Sequence, residues 1–239
     1  MGADWIRVGG EALDGPSPRL LRGAAGRFAS WRAWEVTGGL SRTTKMPCHS
    51  WGLPARSCLT GSRLRTLEGA VCHDCYAHRG SYRFARVRAA YERRLVLSEH
   101  PEWVEAMATL IALQAVVNGE PSFRWFDTGD LQSVGMLERI VAVARSTPGV
   151  RHWLPTKEHG FVREYLDRDD VPANLTVRLS AHFVDESPPV LGGLPTTTVH
   201  RLQPPYGVPC SAYADHPARC GACRDCWDPD VPNISYPYH

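Results

Sequence analysis

Eight cysteines fall into two groups, and both groups lie where the chain shows no apolar periodicity. Cys48, Cys58, Cys72 and Cys75 sit in a Gly- and Pro-rich segment, 39 to 82. Cys210, Cys220, Cys223 and Cys226 sit in a second one, 204 to 239. The first segment is too long for an ordinary connection inside a compact domain. Something other than an apolar core has to organise it, and thiolates gathered on a metal are the obvious candidates. A lone free cysteine is usually a small buried hydrophobe. That reading does not account for eight in two groups.

The spacing narrows the chemistry. Zinc and iron–sulfur sites both favour Cys-x2-Cys turns, because one short loop carries two thiolates to the same centre. Cys72 and Cys75 have that spacing, as do Cys220 and Cys223, and Cys223 and Cys226. A zinc ribbon needs two separate knuckles. The continuous run C-G-A-C-R-D-C is closer to a ferredoxin loop, with Cys210 as its fourth corner. The expected cofactor is a 4Fe–4S cluster, one or two per chain, with zinc as the alternative. Spacing leaves open whether there are two four-cysteine sites or one mixed site in which Cys72-x2-Cys75 meets Cys220-x2-Cys223.

Charge excludes little. The net charge is +2, and Lys45 and Lys157 are the only lysines among the 27 basic residues. Arginine in their place fits a GC-rich genome, or the recognition of phosphate and carboxylate by a planar guanidinium. No stretch approaches the roughly 20 apolar residues that span a bilayer. The first residues, M-G-A-D-W-I-R, lack the apolar run of a signal peptide. The expected location is therefore cytoplasmic, where thiols stay reduced, and no membrane partner is expected.

Along the chain, residues 1–27 read as an irregular arm and 28–239 as one α/β domain. Residues 28–38 alternate as a strand. Helical spacing appears over 83–99, then from Pro101 to about Asn118, with Gly119 closing it. An apolar strand at 122–126 precedes D-T-G-D, where Asp130 can cap a helix running to Ser146. A strand at 150–155, a helix at 160–168 and strands at 175–180 and 196–202 follow. The segment from Pro204 onward shows little regular structure. Strand and helix alternating at this spacing imply right-handed βαβ units and a parallel sheet, open or partly closed into a barrel. Ligand sites in such sheets lie beyond the carboxyl ends of the strands. Those ends carry Asp127, Asp130, Thr156, Lys157, Glu158, Arg178, Ser180, His182, His200 and Arg201. Of these, Asp127, Asp130, Lys157 and Arg178 are the candidate cofactor-binding residues.

Four stretches in order resemble the gene product 88 family of actinobacterial phages: K-M-P-C-H-S-W-G-L-P-A at 45–55, V-C-H-D-C-Y-A-H-R-G-S-Y at 71–82, F-R-W-F-D-T-G-D-L-Q-S at 123–133 and C-G-A-C-R-D-C-W-D at 220–228. This resemblance runs from about residue 40 to the end and implies a protein of the infected host cell. A more distant similarity joins C-H-D-C-Y-A, D-T-G-D-L, L-P-T-K-E and P-A-N-L-T-V-R-L-S to phage relatives of radical S-adenosylmethionine enzymes. It implies a partial (β/α) barrel with a 4Fe–4S cluster on three cysteines, whose open iron takes S-adenosylmethionine. The usual Cys-x3-Cys-x2-Cys is absent, since the nearest cysteine before Cys72 is Cys58. A fourth cysteine at that cluster would leave no open iron. Three functions follow: an iron–sulfur protein in redox, electron-transfer or modification chemistry, a radical enzyme, or a zinc-stapled module that binds nucleic acid or a host protein.

Other features carry less. His152, His159, His182, His200, His216 and His239 are scattered, and a histidine on a strand is usually a packed or surface group. His73, between two cysteines, could orient a ligand. The arginine-rich stretch from Arg79 to Arg94 carries Tyr82, Phe84 and Tyr91, and reads as a solvated basic helix face or a phosphate contact. A redox partner or a nucleic acid is the partner these features suggest.

Overall fold

The computed structural model describes residues 29–214 and 217–238. The arm expected at 1–27 lies outside the described residues, as do His216 and His239. Helix α1 spans Ser30–Thr37, where alternation had suggested a strand. Its buried residues are Ala33, Val36 and Thr37, one helical face, and it packs on a later helix. Tertiary burial overrides the local pattern here. Gly38 closes the helix in the left-handed region at φ 74°, with its N–H on the Trp34 carbonyl.

Strands β1 (Ser41–Arg42) and β2 (His49–Trp51) form an antiparallel pair. Helices α2 (Leu59–Leu64), α3 (Ala85–Leu97) and α4 (Trp103–Asn118) precede β3 (Ser122–Trp125). Then come α5 (Val134–Ser146), β4 (Arg151–Thr156), α6 (His159–Leu166), β5 (Leu175–Ser180) and β6 (Thr196–His200). The C-terminal segment adds β7 (Val208–Pro209) and β8 (Asn233–Pro237). The sheet order is β1-β2-β3-β4-β5-β6-β8-β7, parallel from β2 onward. It is an open α/β sheet and not a closed barrel.

Strand β8 corrects the expectation of an irregular C-terminus. It pairs with β6, more than thirty residues earlier, and with the two-residue β7, so local sequence held no sign of it. Alternation explains the layers. Phe123 and Trp125, Leu154, and Leu175, Val177 and Leu179 join the core under the helices. Trp51 anchors that core, edge-on to Trp103 at 5.2 Å and to Trp125 at 6.2 Å. Arg124, Trp153, Thr176 and Arg178 occupy the alternate positions, on the sheet's other face. The C-terminal cysteine segment covers that face, with Trp227 packed edge-on against Trp153 at 5.3 Å. Among the described residues no helix is long and apolar enough to cross a membrane.

Candidate functional site

The carboxyl ends of β3 and β4 are tied together by a carboxylate. Asp130 accepts from Thr156 Oγ1 at 2.6 Å, from the Leu131 N–H at 2.8 Å and from the Lys157 N–H at 2.9 Å. It is not the helix cap that its position suggested. That role falls to Ser133, whose side chain accepts from the Met136 N–H, so α5 starts later and Asp130 is left to bridge two strands. Burial raises the Asp130 carboxyl to about 6. Four residues earlier, immediately before Asp127, Phe126 holds φ 53°, a left-handed backbone uncommon for a bulky residue. Such strain gathers at functional sites. Asp127 Oδ2 accepts from Tyr91 at 2.6 Å, while its buried Oδ1 has no partner among the described residues. Gly129 is required where the turn passes β2: a Cβ there would sit 2.8 Å from the Leu53 carbonyl oxygen.

Three cysteines of the N-terminal segment dock on these strand ends. Glu158 takes both the Thr60 N–H, at 2.7 Å, and the Thr60 hydroxyl, at 2.8 Å, which fixes α2 and with it Cys58. The Val71 N–H donates to the His182 carbonyl, and the Tyr76 hydroxyl to the Asp127 carbonyl. Cys72 and Cys75 lie between those two ties. Cys58 lies near Cys72 and Cys75, and Lys157 lies near Cys58 and Cys72. Gly61 leaves room between thiols: a Cβ there would lie 3.5 Å from Cys72 Sγ and 3.6 Å from Cys58 Sγ. Burial raises the Cys58 and Cys72 thiols.

Cys48 does not join them, although sequence grouped it there. It is buried against Trp153, Trp227 and Cys226 and interacts with Cys220. Burial raises its thiol to about 12. It stands beside the C-terminal set, Cys210, Cys220, Cys223 and Cys226. Two of the three Cys-x2-Cys turns close alike, Cys75 N–H on the Cys72 carbonyl and Cys223 N–H on the Cys220 carbonyl. The Cys220 N–H also donates to the Lys45 carbonyl, which links the two cysteine segments. All eight cysteines are free.

Arg178 explains how the C-terminal loop is held. It is fully buried in the middle of β5. Its guanidinium donates to the carbonyls of Cys226, Thr196, Val231, Asp225 and Asp228 at 2.6–3.3 Å. Thr176 Oγ1 adds a bond to the Trp227 carbonyl, and Trp227 Nε1 one to the Phe123 carbonyl. Arg178 was a candidate for the pocket. It is instead the clamp that seats the cysteine loop on the sheet, with every N–H used, and it does not line the cavity.

The cavity lies between the two sets and measures about 880 Å³. Its wall includes Cys58, Cys72 and Cys75 from the first set and Cys210, Cys220 and Cys226 from the second. Asp127, Asp130 and Lys157, expected from the strand ends, line it. So does Lys45, which lies beside Cys210, Cys220 and Cys226. The chain's only two lysines therefore face one cavity, one beside each cysteine set. Sequence reasoning did not place Lys45, Arg124, Trp153, Tyr76 or Tyr236 at this site, and it read Tyr82 only as part of the basic stretch. The signals available were the rarity of lysine and an arginine inside the apolar strand S-F-R-W-F. Of the histidines, His159 and His182 stack at 4.7 Å, and His73 Nδ1 meets the Arg65 carbonyl at 3.2 Å.

The thiols fit a soft metal or an iron–sulfur cluster in kind. Among the described residues, no three His, Cys, Asp or Glu side chains are gathered for a single metal ion. The arginine-rich helix α3 is partly structural: Arg94 donates to the Gly38 carbonyl and to Ser41 Oγ, while Arg86, Arg88 and Arg93 are exposed.

Fold and site together define an open, mainly parallel α/β protein whose strand-end cavity is walled by two sets of cysteines. The chain belongs to the gene product 88 family, a family of phage gene products, and the match spans residues 29–201. That span takes in Cys48 to Cys75 and strands β1 to β6, and stops short of Cys210 rather than running to the end. No curated protein and no solved structure matches the chain.

Proposed function

We propose that this protein is an iron–sulfur protein that performs one-electron chemistry on a small molecule held between its two cysteine sets. The observation that carries the reading is the cavity itself, whose wall takes in both Cys58, Cys72 and Cys75 and Cys210, Cys220 and Cys226. The three-cysteine set would hold one 4Fe–4S cluster. The C-terminal set, with Cys223, has the four thiols that close a second. When bound, such clusters supply single electrons at potentials tuned by burial and hydrogen bonding. The chain's own part is positional. Glu158 and the Cys72-x2-Cys75 turn orient one set, and Arg178 orients the other. Lys157 and Lys45 set positive charge beside each.

The separation of Cys48 from Cys58, Cys72 and Cys75 favours a second, narrower reading. With no fourth cysteine at that set, a cluster there keeps one iron without a protein thiolate. This supports radical S-adenosylmethionine-type chemistry, with Cys58 standing in for the first cysteine of the missing Cys-x3-Cys-x2-Cys. The test is reconstitution without oxygen, chemical reduction and addition of S-adenosylmethionine. A changed electron paramagnetic resonance signal with formation of 5′-deoxyadenosine is expected for the narrower reading. Clusters that reduce but neither respond nor form product would leave electron transfer as the function. Colourless protein with stoichiometric zinc would overturn both readings in favour of a zinc-stapled binding module.

A further inference from the structure

The fold handles two buried arginines by using up their donors. Arg178 spends all of its N–H groups on carbonyls, and Arg94 bonds Gly38 and Ser41. Arg124 is treated differently. It projects from the middle of β3 on the cavity face and lines the cavity. Its Nη1 meets a thioether, Met46 Sδ at 3.1 Å, the Tyr76 hydroxyl is a hydrogen-bonding neighbour and the Asp127 carboxylate a charged one, and its plane lies over the Trp153 ring at 4.7 Å. Its Nε is out of solvent and has no hydrogen-bond partner among the described residues. Lys45 reaches the same cavity, its Nζ 3.5 Å from the centre of the Tyr213 ring. Among the described residues neither cation makes an ion pair with a carboxylate.

A guanidinium withdrawn from water is costly unless an anion or full hydrogen bonding replaces its hydration. Partly buried Arg124 has no carboxylate in ion-pair contact among the described residues and its Nε is unmet, although it stands in a cavity of the size that takes a small molecule. The surrounding wall is aromatic, with Trp153, Tyr76, Tyr82 and Tyr236. We infer that Arg124 and Lys45 form an anion subsite that holds the carboxylate or phosphate of a small molecule, whose ring or apolar body rests on these aromatic side chains. The inference rests on the cavity being the ligand site and not on its metal content. The planar fork of Arg124 suits either oxyanion in a two-point contact, and Lys45 adds a point charge.

The competing role is counter-charge for the C-terminal thiolates, which Lys45 also faces. Calorimetric titration of the full chain separates the two. Three probes serve: 4-hydroxybenzoate, phenyl phosphate and the neutral 4-hydroxybenzamide. One of the two anions should bind at least about tenfold more tightly than the amide, as expected when a charged hydrogen bond is at stake. The carboxylate and phosphate arms tell the two oxyanions apart. Arg124→Gln should weaken that anion by about tenfold or more with iron and sulfide content unchanged, and Lys45→Gln should weaken it less. Arg124→Lys, which keeps the charge and loses the fork, should fall in between and guards against simple misfolding. Equal binding of all three probes, an anion affinity unchanged in Arg124→Gln, or iron lost from Arg124→Gln as from Cys220→Ala would each overturn the inference.

Discussion

Replacing Arg178 with methionine removes five hydrogen bonds from the inner face of β5 at once. Four of the five carbonyls, those of Asp225, Cys226, Asp228 and Val231, belong to the loop that carries the last cysteines. Bonds from a charged donor contribute roughly 1.5–3 kcal/mol each, and a buried carbonyl left unpaired costs about 1–3 kcal/mol. Even the low end would sum to more than 5 kcal/mol, on the order of a whole domain's stability. Two effects reduce it. The guanidinium no longer has to be desolvated, and the loop can lift off and rehydrate its carbonyls. The net loss should be about 3–5 kcal/mol, the range for breaking a buried charged network. Urea unfolding of metal-free protein measures it. The emission of Trp227, buried against Trp153, should shift toward that of an exposed indole before global unfolding. Arg178→Lys, with three donors for five acceptors, should recover part of the loss. A methionine variant within about 1 kcal/mol of wild type, with Trp227 still buried, would refute the clamp.

Two further outcomes follow from the geometry. Gly61→Val should push into the space beside Cys58 and Cys72 and reduce iron bound at that set, with circular dichroism unchanged; full iron content would show that the space is not part of the site. His152 is fully buried, stacked on Trp125 and bonded to Thr147 Oγ1 at 2.8 Å, and burial pushes it down to about 3. The folded chain keeps it neutral while the unfolded chain protonates below about 6.5, so stability should fall as pH drops from 6.5 toward 3. Between pH 7 and pH 5 the loss is about 2 kcal/mol. His152→Leu should remove that part of the acid sensitivity in urea midpoints, and an unchanged difference between the two pH values would contradict it.

What the sequence revealed follows from what is local. The alternation from β3 to β6 was legible because each strand and each helix is defined by its own apolar spacing. Asp127, Asp130 and Lys157 were legible because parallel sheets put their ligand site at the carboxyl ends of strands. The partition of the cysteines was not. Cys48 lies ten residues before Cys58, yet β2 ends between them at Trp51, and the chain leaves the sheet in a new direction. Arg178 was misplaced for a related reason. Its position on β5 was read correctly, but four of its five partners lie about fifty residues later, in a segment with no periodicity. Strand β8 was invisible on the same grounds. The helix at 30–37 was missed because its apolar face is set by packing on α4.

The central claim is that the two sets are separate sites of three and four thiolates, with Cys48 in neither. Iron and acid-labile sulfide, counted on protein reconstituted without oxygen, test it most directly. Wild type and Cys48→Ala should each hold about eight irons and eight sulfides per chain. The triple variant of Cys58, Cys72 and Cys75 to alanine should hold about four, and so should the triple variant of Cys220, Cys223 and Cys226. Loss of all iron from either triple variant, or loss from Cys48→Ala equal to a whole cluster, would contradict the partition.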